Sequence, residues 1–527
     1  MTEVGDSITA AIPPRMALRR PRTGTRLALV VAGSLAIVAI TQDIPYLLSW
    51  PLWGDEAWVV LSRLFPIADL PTLASSSPVL WNLIVQFFSL FGDTGGRVLT
   101  LLFHAAAITA AFYAGRWMPW RPPGITPTAL GVVTALGVAL APGTLARVDI
   151  KHYAADAFVT LLALALTFRA RTHPRAVIAL GAIGAVGVVI AFATVFAVPA
   201  AFLALLVSAL VERRRIGLLF VSGAVAAVGM VTCYLVFAAR GDNEALRDFW
   251  TAAYPRGILD VPKFLGSRML DVDASITFLN LGVIAVFVGA TLIVSIRLRD
   301  WRTFVFPAFV LATMIALGVL HRYPLLDQRT SHFFIALTSF YATVGALVVV
   351  SAVLTRLPAR IRMSPALSAA ASVAIVSLTI TALSVPDWRA HRLPYYDTTH
   401  QSAYVEANLG ENDLVLFNEL AGYQVSLSWR LDEPSWCADP TAWTGYVICY
   451  PESERIAGFA TLDEAYSAID AHLFEYPGSR VWLIRSHVFV EYEQMERELP
   501  ARYDYRVIDL PIQPVGVVEG LASGVAP

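Results

Sequence analysis

Two carboxylates stand side by side between two tryptophans in Trp53-Gly54-Asp55-Glu56-Ala57-Trp58, shortly after Tyr46-Leu47-Leu48-Ser49-Trp50-Pro51. Tryptophan and tyrosine favour the level of lipid headgroups, and a charge at a membrane surface is costly unless it has a role there. Two other stretches carry chemistry of the same kind. One reads Arg147-Val148-Asp149-Ile150-Lys151-His152-Tyr153, with Asp156 a turn further on. The other reads His321-Arg322-Tyr323-Pro324-Leu325-Leu326-Asp327-Gln328-Arg329, then Ser331-His332. Lysine and arginine hold a phosphate. A carboxylate takes the proton of a hydroxyl. Cations beside a leaving phosphate also stabilise the charge that grows on it. The residue types therefore suit transfer of a group from a phosphate-linked, lipid-level donor to a hydroxyl acceptor such as a sugar. Each residue also has a plain structural reading. Asp55 is a good helix cap, Lys151 is long enough to reach the interface from below, and Arg329 has Asp327 nearby as an ion-pair partner. The case for a site is the convergence of three segments, one of which carries one of only two lysines in the chain, Lys151 and Lys263.

The elements that must bring these segments together are membrane spans. The 527 residues are 57% hydrophobic and 15% charged, with a mean hydropathy of +0.61. A soluble domain carries about 25% charged residues. The net charge of −1 and the lack of a basic, aromatic-laced cluster give no sign of a nucleic-acid partner. About 20 apolar residues cross a bilayer. Eleven stretches qualify, at 27–48, 97–115, 125–141, 153–168, 176–192, 197–211, 216–238, 277–296, 303–320, 332–355 and 366–385, with a tight turn near Thr194–Pro199 separating the fifth from the sixth. The polar segment 1–26 is expected to be a cytoplasmic tail leading into an uncleaved first helix. The loops on its side then hold Arg116 and Arg121; Arg169, Arg171 and Arg175; Arg213 to Arg215; Arg297, Arg299 and Arg302; and Arg356, Arg360 and Arg362. That is the positive-inside pattern, and it places all three candidate segments on the outer face of a cell membrane. The outer loops 49–96 and 239–276 are long. In the first, Glu56 to Leu64 and Val79 to Phe91 read as amphipathic segments lying along the membrane plane. Asp271 and Asp273 lie in the second. His104, inside the second span, reads as a packed or hydrogen-bonded residue.

From about Pro386 the composition turns soluble. Strands are expected at Asp413 to Phe417, Arg480 to Ile484 and near Tyr505–Leu510, and helices at Tyr396–Leu409, Leu462–Phe474 and Val488–Leu499. Alternating strands and helices predict a small extracytoplasmic α/β domain over 386–527 with a mostly parallel sheet. Asn418, Glu419 and Tyr423 follow a strand end, a common binding position in such sheets, and point weakly to acceptor contact. Cys437 and Cys449 fit either a disulfide, in an oxidising compartment, or two separate thiols; Cys233 reads as packing.

At three stretches the chain resembles the GT-C superfamily of integral membrane glycosyltransferases, in particular its bacterial, protein-mannosyltransferase-like branch. Leu52-Trp53-Gly54-Asp55-Glu56-Ala57 resembles the acidic motif of that family's first outer loop. Ser77-Pro78-Val79-Leu80-Trp81 through Leu90-Phe91-Gly92 to Arg97 is similar to its run into the second span. Asp149-Ile150-Lys151-His152-Tyr153-Ala154-Ala155-Asp156 is similar to a Lys-x-Tyr-x-x-Asp run, and Tyr323-Pro324 with Arg329 is a weaker fourth. The likeness covers roughly 27–340. His152 stands where a smaller polar residue is expected, and Leu325 to Gln328 stand where a glycine is expected before Arg329. The resemblance implies a polytopic catalytic domain over 27–385, a polyprenyl-phosphate sugar donor and transfer with inversion at the sugar on the outer face. The acceptor would be a cell-envelope glycan, glycolipid or protein. It implies that Asp55 is the general base, that Lys151 and Arg329 contact the donor phosphate and that His152 and Tyr153 assist. Glu56 is left open between a partner of Asp55 and a ligand, with Asp55, for magnesium or manganese.

Two other readings fit a multi-pass chain: a flippase for a lipid-linked sugar, and a non-catalytic assembly protein of the cell envelope. Transporters place ionisable groups near the bilayer midplane, whereas here the mid-span regions are nearly free of them. An assembly protein has no need for Asp55, Lys151 and Arg329 to converge.

Overall fold

The computed structural model describes residues 23–64, 67–73, 77–237, 239, 250–276, 281–327, 329–358, 363–393, 398–418, 421–428, 435–438, 446–449, 456–459, 461–484, 490–511 and 514–521. The side chains of 64, 72–73, 269–276, 281, 428, 435–438, 446–449 and 490–493 are outside that description. Among the described residues, each of the eleven apolar stretches falls on a helix. The membrane part comprises α1 (Thr23–Thr41), α2 (Ile44–Ser49), α3 (Gly54–Leu61), α4 (Leu70–Leu73), α5 (Val79–Phe88), α6 (Gly96–Trp117), α7 (Pro127–Ala139), α8 (Pro142–Ala146), α9 (Tyr153–Arg169), α10 (Arg175–Val186), α11 (Thr194–Val211), α12 (Gly217–Val236), α13 (Val261–Ile276), α14 (Leu281–Arg297), α15 (Trp301–Val319), α16 (His332–Thr355) and α17 (Pro365–Ser384). Of these, seven are long and apolar enough to cross a membrane by length and composition. The protein is thus a polytopic helical membrane protein.

Helix starts follow local chemistry. Thr126 and Ser364 accept the N–H of Ala129 and Leu367 at 3.1 and 3.3 Å, each with a proline in the first turn, where its missing N–H costs nothing. The turn expected near Thr194–Pro199 lies slightly earlier, at 190–193, and Pro199 sits inside α11, as prolines in membrane helices can when neighbours compensate. Close helix crossings use small residues: a Cβ on Gly345 would lie 1.7 Å from the Phe287 carbonyl oxygen, and one on Gly137 1.9 Å from Thr343 Oγ1. The core lies along α9, which packs on α6, α11 and α16 and is buried along nearly its whole length. α1 and α12 line the rim and leave apolar side chains such as Leu29 and Val228 exposed.

The two amphipathic segments of the first outer loop are present as α3 and α5, each extended by a short 3-10 turn. α3 is buried from Gly54 to Leu61 except for Asp55. Apart from Asp55 it has no open face, because α5 and the C-terminal domain pack on it.

That domain follows a clasp. The Arg389 N–H donates to the Thr41 carbonyl at 2.7 Å, His391 pairs with Asp43 at 3.0 Å and its ring stacks on Tyr46 at 3.7 Å. Beyond lie α18 (Thr399–Asn408), β1 (Leu414–Asn418), α19 (Gly422–Ser428), β2 (Ser435–Ala438), β3 (Tyr446–Cys449), β4 (Ile456–Phe459), α20 (Leu462–Glu475), β5 (Val481–Ile484), α21 (Val490–Arg502), β6 (Tyr503–Ile508) and β7 (Val515–Leu521). The main sheet runs β4-β1-β5-β7-β6. β4, β1 and β5 are parallel; β7 pairs antiparallel with both β5 and β6. The sheet is therefore half antiparallel instead of mostly parallel. The few residues between β6 and β7 permit a hairpin and no crossover helix. β2 and β3 form a separate hairpin that places Ser435 opposite Cys449 and Cys437 opposite Val447; the side chains of Cys437 and Cys449 lie outside the described residues.

Candidate active site

The site is built on one polar stripe of α6. Arg97, Thr100 and His104 are spaced three and four residues apart, so they share a helix face. Arg97 is fully buried. Its Nε donates to Glu56 Oε1 at 2.9 Å and its Nη2 to Glu56 Oε2 at 2.5 Å and to the Pro51 carbonyl at 2.9 Å. Its Nη1 donates to the Leu47 and Trp50 carbonyls at 2.6 and 2.5 Å. All five guanidinium N–H groups are thereby used. One turn along, Thr100 Oγ1 donates to the Asp149 carbonyl at 3.0 Å, and a turn further His104 Nε2 meets the Arg147 carbonyl. One helix face thus holds both the segment leading into α3 and the loop leading into α9.

Glu56 completes the joint. Besides Arg97, Glu56 Oε1 accepts the Ile150 N–H at 2.9 Å and Oε2 the Trp53 N–H at 3.4 Å. A carboxylate offers about four acceptor positions, and these four contacts fill them. A cation held by Asp55 and Glu56 together would have to displace an existing bond, so this pair does not fit that role. Among the described residues, no group of three His, Cys, Asp or Glu side chains is arranged to hold a metal ion.

Asp55, at the second position of α3, points away from this joint and remains partly exposed. Its Oδ2 lies 3.3 Å from Arg329 Nη1, with both side chains 28% exposed. The Arg329 guanidinium also lies over the Trp250 ring at 5.2 Å. Its own N–H and that of Thr330 donate to Asp327 Oδ1 at 3.0 and 3.1 Å, a turn that fixes the loop entering α16. In this loop Leu326 adopts φ +55°, a left-handed conformation that suits glycine; it falls in the stretch where a glycine was expected. Burial of the Leu326 and Leu325 side chains holds it there.

Lys151 is 2% exposed and its Nζ lies 5.1 Å over the Trp58 ring. Burial pulls the ammonium below the ordinary lysine range, opposed by the charges of Asp55 and Asp149. Burial likewise pushes the Asp149 carboxyl up, against the pull of Arg147. His152 is buried at the start of α9; its Nε2 lies 3.4 Å from Asp156 Oδ2, and its ring meets Phe192 edge-on at 4.8 Å. Asp156 Oδ1 in turn accepts the Ala193 N–H at 2.8 Å, tying α9 to the turn before α11. Tyr153 is the first residue of α9 and is buried beside His152.

The three outer segments therefore meet, through Asp55–Arg329, Glu56–Ile150 and Trp58–Lys151. A fourth element joins them: α19 packs on α3, Tyr423 stacks on Trp58 at 5.7 Å, and Gln424 Nε2 donates to the Leu52 carbonyl at 2.6 Å. Of the weak acceptor candidates, Tyr423 lies at the site. Asn418 uses Oδ1 to accept the Ala421 N–H at 3.0 Å and so shapes the turn into α19. Glu419 lies outside the described residues, as do the side chains of Asp271 and Asp273. His332 starts α16 fully buried, its ring edge-on to His104 at 5.9 Å. Sequence reasoning missed Arg97 as the holder of Glu56, and Gln424 and Trp250 as neighbours. The spacing of Arg97, Thr100 and His104, polar residues on an apolar helix, was the available signal for the first.

No protein-family model matches the chain, and no curated protein does. Two solved structures share its architecture. ArnT from Cupriavidus metallidurans in the apo state is 13% identical, with a TM-score of 0.51, over 96% of this chain and 99% of that one. The same protein bound to undecaprenyl phosphate is 13% identical, with a TM-score of 0.49, over 96% of this chain and 100% of that one. The chain thus shares the fold of ArnT, and the likeness extends through the C-terminal sheet domain that the sequence motifs do not reach.

Proposed function

We propose that this protein is an inverting glycosyltransferase that moves a sugar from a polyprenyl-phosphate donor to a hydroxyl of an extracytoplasmic glycan, glycolipid or protein. The observation that carries this reading is the partly exposed carboxylate of Asp55 set against Arg329, with Lys151 buried nearby. The fold shared with ArnT, a protein also crystallised with undecaprenyl phosphate, supports it. In this reading Asp55 takes the acceptor proton. The acceptor oxygen attacks the anomeric carbon from the face opposite the phosphate. The carbon–oxygen bond to phosphate breaks, and the polyprenyl phosphate leaves with the electron pair, stabilised by Lys151 and Arg329. In this structure the Asp55 carboxylate is occupied by Arg329. A donor phosphate that draws Arg329 to itself frees Asp55, so donor binding prepares the base for the acceptor. Glu56 acts by fixing α3, and His152 and Tyr153 support the donor end.

The test is transfer from a panel of radiolabelled polyprenyl-phosphate sugars in membranes carrying the wild type or Asp55→Asn. Transfer from one donor, reduced roughly 10²–10⁴-fold in the variant as expected for loss of a general base, supports the reading and names the sugar. Undiminished transfer in a folded Asp55→Asn protein removes Asp55 from the role. No transfer from any donor to envelope extracts favours the flippase or assembly readings.

A further inference from the structure

The α19 helix belongs to the C-terminal domain, yet it closes over the first outer loop. Gln424 bonds to the carbonyl of Leu52, three residues before Asp55, and Tyr423 stacks on Trp58 with the rings 20° from parallel. The same indole lies beneath Lys151 Nζ. We propose that Tyr423 is a positioning residue for Lys151, acting through Trp58, so that the C-terminal domain sets where the donor-binding cation stands. This rests on the reading above, in which Lys151 meets the donor phosphate.

The argument is one of freedom. Lysine carries its charge on a four-carbon stem with many rotamers. A cation held over an indole face takes part of its position from that indole, here Trp58 beneath Lys151 Nζ. Trp58 sits on the last turns of a short helix, and the aromatic face that packs on it comes from Tyr423. Leu427, one turn along α19, packs on the same cluster as Val59, Val60 and Ile150, so Tyr423 is carried on a helix that is itself anchored at both ends. Substituting Tyr423 by alanine alters neither Lys151 nor Asp55 themselves and removes a stacking partner of the ring between them and the domain.

The experiment uses the full chain in nanodiscs. It measures undecaprenyl phosphate binding, and donor kinetics against pH, for wild type, Tyr423→Ala, Tyr423→Leu and Tyr423→Phe. The expected result is a roughly 3- to 30-fold loss of donor affinity in Tyr423→Ala and Tyr423→Leu, the range of a cation–aromatic contact. It comes with kcat changed far less than KM and with the alkaline limb of kcat/KM moved upward as water reaches Lys151. Tyr423→Phe, which keeps the ring, restores all three. Tyr423→Leu keeps the buried volume and serves if the alanine variant does not fold. Unchanged donor affinity and alkaline limb in the leucine variant, or equal losses in Tyr423→Phe, overturn the proposal. Wild type that neither binds the lipid phosphate nor transfers from any donor overturns the functional reading and this inference with it.

Discussion

Lys151 shows at residue scale how burial and function are coupled. Desolvation holds its ammonium below the ordinary lysine range, so the group loses its charge earlier than a free lysine as pH rises. If that charge binds the donor phosphate, kcat/KM for the donor falls on the alkaline side below the usual lysine value of about 10.4. Arginine keeps its charge throughout. Lys151→Arg is therefore expected to move the alkaline fall to higher pH even if its rate is lower, and a pH profile with an unmoved limb counts against Lys151 as the titrating cation. The convergence of the segments carrying Asp55, Lys151 and Arg329 was legible in the sequence because membrane spans bring loops on one side to one depth, so sequence distance hardly matters. The partner of Glu56 was not legible, because two adjacent carboxylates look alike in sequence. Only the neighbours distinguish them: four donors surround Glu56, whereas Asp55 faces Arg329.

At the scale of elements, two buried carboxylates fasten the parts. The Glu56–Arg97 pair joins α3, α6 and the loop before α9, and removing one partner of such a pair leaves an uncompensated buried charge. Arg97→Ala is expected to cost about 3–5 kcal/mol, while Arg97→Met with Glu56→Leu costs less than Arg97→Ala alone. Thermal unfolding in detergent measures both, and a double variant as unstable as the single one would deny the pairing its role. In the C-terminal domain Asp413 does the same work. Burial would raise its pKa, but the Gly410 N–H at 2.8 Å, the Trp482 indole at 2.9 Å and the Arg480 backbone and side chain at 2.9 and 3.0 Å outweigh it and hold the carboxyl below its usual range. A depressed carboxyl adds stability above its unfolded pKa of about 3.9 and loses it as pH falls through the folded value. Acid unfolding of the domain should therefore begin at higher pH in Arg480→Ala, read by intrinsic fluorescence. The apolar strands β1 and β5 and the helices α18, α20 and α21 were legible from their periodicity. β4, β7 and α19 were not: β4 has four residues and carries Gly458, β7 carries Gly516 and Gly520, and α19, seven residues long, forms against α3 and has little helical signal of its own.

Over the whole molecule the two ends differ in charge and in how they are tied. One end gathers Asp55, Lys151, Arg329 and the C-terminal domain. The other gathers the arginine-rich loops, which touch each other: Arg169 lies over Trp117 at 5.1 Å, Arg214 donates to the Arg171 carbonyl at 3.3 Å, and Arg302 lies 3.6 Å from Glu212. If the helices on the eleven stretches alternate between these ends, a single assignment orients the chain. Basic loops stay on the cytoplasmic side because translocating arginine is costly. We propose on that ground that the arginine end is inside and the site with its domain outside, where a lipid-linked donor and envelope acceptors would meet. Alkaline phosphatase, active only outside, is expected to be active when fused after Trp388 and inactive when fused after Arg171. Activity in the reverse pattern would put Asp55 in the cytoplasm, beyond reach of an extracytoplasmic acceptor, and would defeat the proposed reaction even with the site geometry unchanged.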